Sequence, residues 1–504
     1  MEDNRSCPEG RTRSKEKKMK KWILIVFAFL ACGATSWAVN LDVYTVGNSL
    51  TDGIGLSHYP GSWDKRGMLQ SFVASGGAHT IGLEKKCNVA GAPLNWMWDN
   101  SNYTALSTSA PWDALTLQPF GRPLYDADAP PGGSHSTDWG MINAAKNFIH
   151  YGLTNSPNVQ PYLYSCWPAV PNYKRHNDLI NDPDNGIDTW EQAEAYRQQA
   201  MADFHAAGGF DGHWDTEYTN VYTHPHRMRD FFEQAVDIFN TDRHTPGDPL
   251  ENLTQDVLII PVGDVLYEIN QRMKANPTLF PRAASAGGGY YTNVTELHAD
   301  VPHLRGGVGR FVCAATWYAT LYGKSPAGLD YTIYNDPDPT SNQYYDYADP
   351  YYEEITTAFA AAVYEAAWDV VSTHSRAGVA TADADADGLP DWWELEYYGG
   401  PTNANPNATA SNGVNAVEDT YVAGLDPTDP EATFQMSDLS HSASNTVLQW
   451  SGVYGREYTV YWTSNLLSGF SEILQSNLTT SVFTDTVYGA EQTGFYRLEV
   501  QLSP

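Results

Sequence analysis

Ser49, Asp300 and His303 are the residues whose types and spacing could do chemistry together. Ser49 stands in Leu41-Asp-Val-Tyr-Thr-Val-Gly-Asn-Ser-Leu-Thr-Asp-Gly53, where an alternating apolar run predicts a β-strand that ends on the turn-forming pair Gly47-Asn48. A serine there has its hydroxyl at the open edge of a sheet, close to the backbone N–H groups of a helix about to begin, where α/β enzymes place their chemistry. The position also fits an ordinary cap between strand and helix, because Ser, Asn and Thr are common in that place. Far downstream, Glu296-Leu-His-Ala-Asp-Val-Pro-His-Leu-Arg-Gly-Gly-Val-Gly309 precedes the apolar-periodic segment Arg310–Leu321, which puts Asp300 and His303 on one loop ahead of a helix. A hydroxyl is a weak nucleophile. It needs an imidazole to take its proton, and the imidazole needs a carboxylate on its other nitrogen to fix the tautomer and stabilise the cation.

At these residues the chain resembles the SGNH (GDSL-like) hydrolase superfamily. Gly47-Asn48-Ser49-Leu50 stands where that family has its Gly-Asp-Ser-Leu block, and Asp300-Val-Pro-His303 matches its Asp-x-x-His block. The resemblance implies Ser49 as nucleophile, His303 as general base and Asp300 as its orienter. Asn88-Val-Ala-Gly-Ala-Pro-Leu94 is similar to the second block, whose glycine N–H helps bind the oxyanion; this carries the role to Gly91, beside the N–H of Ser49. Trp112-Asp-Ala-Leu-Thr-Leu-Gln-Pro-Phe120 reads as another buried strand and lies where the family has Gly-x-Asn-Asp. Here the chain departs from the pattern. Gln118 ends the strand in place of asparagine, with an amide that could donate the same hydrogen bond with one more methylene of reach. Gly91 also fits a simple turn glycine, and Gln118 a strand-end polar residue.

These residues meet only if the intervening elements bring them to one edge. Strand-like runs at Val159–Ser165 and Asp256–Val262 alternate with helix-like runs at Met141–Leu153, Ala193–Ala207, Arg229–Phe239 and Gly306–Tyr322. This alternation predicts an α/β fold, a doubly wound and mostly parallel sheet, in the flavodoxin-like three-layer α/β/α form that the SGNH resemblance implies. The segment Pro168–Glu251 is longer than a connection needs, and part of it reads as an insertion over the site. Trp96, Trp98 and Trp167 follow directly on the site strands, with faces that suit sugar rings or core packing. His224-Pro-His226 lacks nearby carboxylate spacing and reads as solvated loop in preference to a metal pair.

Composition bounds the rest. The chain has 504 residues, 42% of them apolar, with 16 tryptophans, enough for a substantial core and for more than one domain. Lys17-Lys-Met-Lys-Lys21, then Trp22-Ile-Leu-Ile-Val-Phe-Ala-Phe-Leu30, then Ser36-Trp37-Ala38 has the basic, apolar and small-residue regions of a secretory signal, with Met19 as an alternative start. The apolar run is too short for a permanent bilayer span. Residues 1–38 therefore read as a signal peptide, and the mature chain begins near Val39, exported to the periplasm, cell surface or medium without membrane insertion. Phe29-Leu-Ala-Cys-Gly33 loosely resembles a lipid-attachment box, a less favoured route. The formal charge is −31, and residues 1–38 contribute +4 to it, so the remainder stands at −35. Such a field repels nucleic acid and anionic membranes, and suits a salty exterior or calcium. Three cysteines lie beyond Ala38, which permits at most one disulfide; Cys166 and Cys313 read as buried apolar residues.

Residues 39–376 form the expected catalytic domain, closed by an alanine-rich helical pattern within Tyr344–His374. Asp383-Ala-Asp-Ala-Asp-Gly-Leu-Pro-Asp-Trp-Trp-Glu394 then fits the twelve-residue calcium loop. Its oxygen ligands are Asp383, Asp385, Asp387, the Leu389 carbonyl, Asp391 directly or through water, and a bidentate Glu394, with Gly388 at the sharp turn. The expected cofactor is one structural Ca²⁺, with none for catalysis. The stretch Asn412–Pro430 looks like a degenerate copy that has lost the first two acidic ligands to Ala408 and Ala410. The pair resembles the thrombospondin-type-3-like or dockerin-like calcium segments of secreted bacterial enzymes, which gives a spacer over 377–430. Runs at Asn445–Trp450, Glu457–Trp462, Ser481–Thr484 and Gly494–Val500 predict a small, β-sandwich-like antiparallel domain over 431–504, for carbohydrate binding, export sorting or packing. The functional expectation is a secreted serine esterase that deacetylates a polysaccharide or oligosaccharide, with its C-terminal domain touching the cell surface or export machinery. Alternatives are a lipase or arylesterase of the same fold and a non-catalytic carbohydrate-binding or surface-adhesion protein.

Overall fold

The computed structural model describes residues 39–52, 68–89, 92–109, 111–119, 141–168, 186–189, 192, 193, 195, 196, 199, 229–298, 303–335, 352–442, 444–489, 491 and 493–503. Gly91, Asp300, His224, His226, the signal-like segment and most of the Pro168–Glu251 insertion lie outside the described residues.

Strands β1 (Val39–Gly47), β2 (His79–Asn88), β3 (Ala114–Leu117), β4 (Gln160–Tyr164) and β5 (Leu258–Ile260) form one parallel sheet in the order β2-β1-β3-β4-β5. This is a doubly wound order, and the reversal falls between β1 and β3. Parallel strands of this kind are covered on both faces, so they are apolar almost throughout. Val43–Gly47 and all of β3 are accordingly buried. Paired residues in a parallel ladder share a face. Leu115, on one face, lies against Gly152 of helix Met141–Leu153, while Tyr164, on the other, meets Trp317 of helix Val308–Tyr322 edge-on at 5.4 Å. Helix Met141–Leu153 packs with Leu94–Asn100 and Arg229–Asp242; helix Val308–Tyr322 packs with Met68–Ser75, Val262–Ala275 and Thr357–Thr373. The expected three layers are thus present.

Departures from the expected elements have local causes. The run Asp256–Val262 yields a strand only over Leu258–Ile260, because Pro261 has no N–H for the ladder and caps the helix that starts at Val262. The helix expected from Gly306 starts at Val308. Gly307 before it sits at φ +71°, where a Cβ would come within 2.1 Å of the Glu353 carbonyl oxygen.

Beyond the α/β domain come two short helices, Asp391–Tyr398 and Val417–Ala423, around a small core of Leu389, Trp393, Ala404, Ala410, Val417 and Tyr421. Strands β6 (Met436–His441), β7 (Thr446–Trp450), β8 (Arg456–Thr463), β9 (Glu472–Leu478), β10 (Val482–Asp485) and β11 (Phe495–Leu502) follow. They make two antiparallel sheets, β10-β7-β6 and β11-β8-β9, over a core of Leu448, Trp450, Tyr458 and Val460. Contacts among the described residues join these parts. Trp392 meets Trp368 at 5.2 Å, Gly455 lies where a Cβ would be 2.7 Å from Thr373 Cγ2, and Arg456 donates to the Tyr421 and Val422 carbonyls at 2.7 and 2.6 Å. No helix among the described residues is long and apolar enough to cross a membrane.

Candidate active site

The end of β1 is built as a tight turn. Asn48 accepts the Leu50 N–H on its side chain and the Thr51 N–H on its carbonyl, both at 3.0 Å, and so caps the helical turn Ser49–Asp52. Ser49 is therefore the first helical residue after β1, at the carboxyl edge of the sheet. Gly47 is required there by space: a Cβ would lie 2.0 Å from Thr51 Oγ1 and 3.3 Å from Gln118 Cβ. The neighbouring strand ends are tied to the same turn. Val89 N–H donates to the Gly47 carbonyl at 3.0 Å, and Gln118 N–H to the Val46 carbonyl at 2.9 Å.

Gln118 is buried. Its Oε1 accepts from Thr51 Oγ1 at 2.8 Å and its Nε2 donates to Cys166 Sγ at 3.4 Å. His303 is half-buried and stands next to Leu304, which bridges antiparallel to His298, ahead of helix Val308–Tyr322. Its segment is anchored by Arg305, whose N–H donates to Leu297 O at 2.8 Å, Nε to Glu296 O at 2.9 Å and Nη1 to Glu353 Oε1 at 3.0 Å. Thus the turn carrying Ser49 and the residue Gln118 share one sheet edge, while Asp300 and Gly91 lie outside the described residues.

The thiols do not compete as nucleophiles. Cys87, Cys166 and Cys313 are buried thiols outside any disulfide, as expected for the burial of Cys166 and Cys313, and burial pushes the Cys87 thiol up to about 11 and the Cys313 thiol to about 12. Of the tryptophans considered for sugar stacking, Trp167 is buried in the core and Trp96 packs partly buried against it. Trp98 is stacked on Tyr103 at 4.8 Å and edge-on to Phe148 and Tyr151. Packing is the role these rings have here. Nothing in the sequence pattern alone marks Cys166 as part of this edge, whereas the i, i+4 spacing from Gly47, where a small residue faces a hydroxyl one turn on, points to Thr51.

A second cluster lies in the spacer. Carboxylate oxygens of Asp383, Asp385 and Asp387 lie within 4.8 Å of one another. Asp383 also accepts from the Asp387 and Gly388 N–H groups, and Asp391 Oδ1 from the Ala384 N–H at 2.7 Å. Glu394 is fully buried: Oε1 accepts from Ala404 N–H at 2.8 Å, while Oε2 has no hydrogen-bond partner among the described residues. Burial first, and then Asp385, Asp387 and Asp391, push its carboxyl up to about 7. A buried carboxylate oxygen without a partner beside converging acids is the donor set that a hard cation satisfies, so these residues fit Ca²⁺.

No protein-family model matches the chain, and no curated protein matches it. Among solved structures, a DUF4886 family protein from Bacteroides uniformis overlaps 66% of this chain and 95% of its own, at 13% identity and TM-score 0.33. A possible lipase from Chitinophaga pinensis overlaps 33% of this chain and 65% of its own, at 14% identity and TM-score 0.19. A carbohydrate esterase family 2 enzyme with a carbohydrate binding domain, from Corynascus thermopiles (Myceliophthora fergusii), overlaps 35% and 55%, at 11% identity and TM-score 0.16. Likeness at these scores assigns no activity to the chain.

Proposed function

We propose that this chain is a serine esterase of SGNH type that removes acetyl groups from a polysaccharide or oligosaccharide. One observation supports the reading above the others: the Gly47-Asn48-Ser49 turn opens a helix at the carboxyl end of β1, where the strand order reverses, with the ends of β2 and β3 hydrogen-bonded on either side.

In the proposed reaction His303 takes the Ser49 hydroxyl proton as Oγ attacks the ester carbonyl carbon, while Asp300 holds the imidazole and balances its charge. The N–H groups of Ser49 and Gly91 and the Gln118 amide receive the negative charge that develops on the carbonyl oxygen. Collapse breaks the C–O bond to the sugar, whose oxygen takes the proton from His303, and leaves an acetyl ester on Ser49. Water then attacks that ester with one proton passing to His303, and acetic acid departs as Ser49 recovers that proton, the acid ionising to acetate in solvent. The acetylated-glycan clause rests on the modular layout; the site chemistry asks only for an activated acyl carbon.

The same reading gives the spacer one structural Ca²⁺, held through Asp383, Asp385, Asp387, the Leu389 carbonyl, Asp391 and Glu394, where it neutralises the cluster and orders the turn. It further makes residues 1–38 an export signal and gives the C-terminal domain a surface or export contact.

The test is hydrolysis by wild type and Ser49→Ala on a panel of acetylated glycans and a short-chain aryl ester. Ser49→Ala should lose about three orders of magnitude or more in turnover. A variant retaining more than about a tenth of wild-type activity overturns the assignment. Turnover of the aryl ester alone would move the reading to an arylesterase.

A further inference from the structure

The end of β1 carries a hydrogen-bond chain that the proposed reaction does not itself specify. Thr51 Oγ1 donates to Gln118 Oε1 at 2.8 Å, Gln118 Nε2 donates to Cys166 Sγ at 3.4 Å, and Cys166 Sγ donates to the Pro119 carbonyl at 3.5 Å. Thr51, Gln118, Pro119 and Cys166 are all buried. The last acceptor sets the direction of the whole chain. A carbonyl only accepts, so the thiol proton goes to Pro119, the sulfur lone pair faces the Gln118 nitrogen, and the amide oxygen is left facing Thr51. An amide in the opposite sense would take the thiol proton on its own oxygen and leave the Pro119 carbonyl without that donor. The two senses have nearly the same shape, so only such partners distinguish them. Thr51 reaches its place because residue 47 is glycine.

We propose that Thr51 is a positioning residue which, with Cys166 at the far end of the chain, holds the Gln118 amide with its oxygen inward, so that only N–H is offered to a developing oxyanion. This rests on the esterase reading. One Nε2 proton goes to sulfur, and the other is the donor that transition-state charge would take up. Without the Thr51 hydroxyl the amide can turn over and present its oxygen, which repels that charge.

The experiment is steady-state kinetics of the full chain on a short-chain aryl ester, with active sites counted by a phosphonate that blocks the serine. Thr51→Val keeps the shape and removes the donor; kcat per titrated site should fall about tenfold with KM held within about twofold. Thr51→Ser should restore most of the loss. Cys166→Ala removes the other end of the same chain and should lower kcat per titrated site by a comparable factor, while Cys166→Ser keeps a donor and an acceptor and restores most of it. A merely structural Thr51 would lower the melting temperature and the titrated fraction, leaving kcat per site unchanged. An unchanged kcat per site in Thr51→Val, or Thr51→Ser as impaired as Thr51→Val, overturns the proposal. Should Thr51→Val fail to fold, the Cys166→Ala and Cys166→Ser pair decides by the same measure. Failure of the esterase reading looks different: Ser49→Ala then keeps its activity, and the role of Thr51 falls with it.

Discussion

The two turns of the spacer share a backbone and differ in what fills it. Each holds a glycine at the sixth place in the left-handed region, Gly388 at φ +96° and Gly413 at φ +71°. Each runs into a short helix stopped by another left-handed glycine, Gly399 or Gly424. In the first turn three aspartates converge and Glu394 is buried with one oxygen unbonded. In the second, Ala408 and Ala410 occupy the first two of those places and pack into the small core beside Trp393 and Tyr421. Asn412 Nδ2 there bonds Asn415 Oδ1 and the Ala432 carbonyl, and Asp419 Oδ2 accepts the Ala416 N–H. The second turn closes with neutral groups, apolar packing and a cap. The same backbone turn thus carries acidic side chains at its first two places in one copy and alanines in the other.

Removing calcium should separate the turns most. With Ca²⁺ at a hundredfold above its dissociation constant, chelation should cost about 2.7 kcal/mol. It should speed proteolysis across residues 377–430 while turnover of a small soluble ester stays unchanged. Calorimetry should count one ion per chain; two ions would break the comparison, and immediate loss of hydrolysis in folded protein would assign the metal a catalytic part.

Substitution at the twelfth place sharpens the contrast. Glu394→Gln should abolish the calcium response and make the chelated protein more stable than chelated wild type at neutral pH, because a neutral amide removes the repulsion. The corresponding Asp419→Asn should leave calcium binding intact and cost about 0.5–1 kcal/mol through a weakened cap. Equal effects of the two on calcium binding would sink the distinction.

The pH response has a definite sign. In the folded chain without metal the Glu394 carboxyl stands at about 7, above its ordinary 4.5, so the folded state holds the proton more tightly than the unfolded one. Its contribution is fully present below pH 4.5 and is lost as pH rises through about 7. In chelator the melting temperature of wild type relative to Glu394→Gln should fall by roughly 5 °C over that range. With calcium present, the difference should not follow this course.

What the sequence makes legible depends on whether the controlling contacts are local. Met141–Leu153 is helical over the predicted span because its apolar stripe is complete within the run. β2, β6 and β9 escape such reading: each lies at an edge of its sheet, and β6 and β9 are mostly exposed, so no apolar alternation marks them. At the site, strand ends place the Ser49 turn and Gln118 at one edge. The Thr51–Gln118–Cys166 chain is not readable, since it joins residues from three separate strand ends. The calcium-type loop is visible through its alternating acids. That Glu394 is buried beneath the Ala404 N–H is not, because this donor comes from ten residues further on.

Arg456 opens strand β8, yet its guanidinium is occupied by the last carbonyls of another module's helix, Tyr421 and Val422, while Gly455 beside it lets the turn settle onto Thr373. Trp392 likewise leaves its own turn to meet Trp368. The borders visible in the sequence are therefore poor places to cut. A fragment ending near residue 376 bares one face of Trp368, and a fragment beginning near 431 carries an arginine deprived of the helix end it was shaped to hold. Modular in text, the chain is to be produced and handled whole.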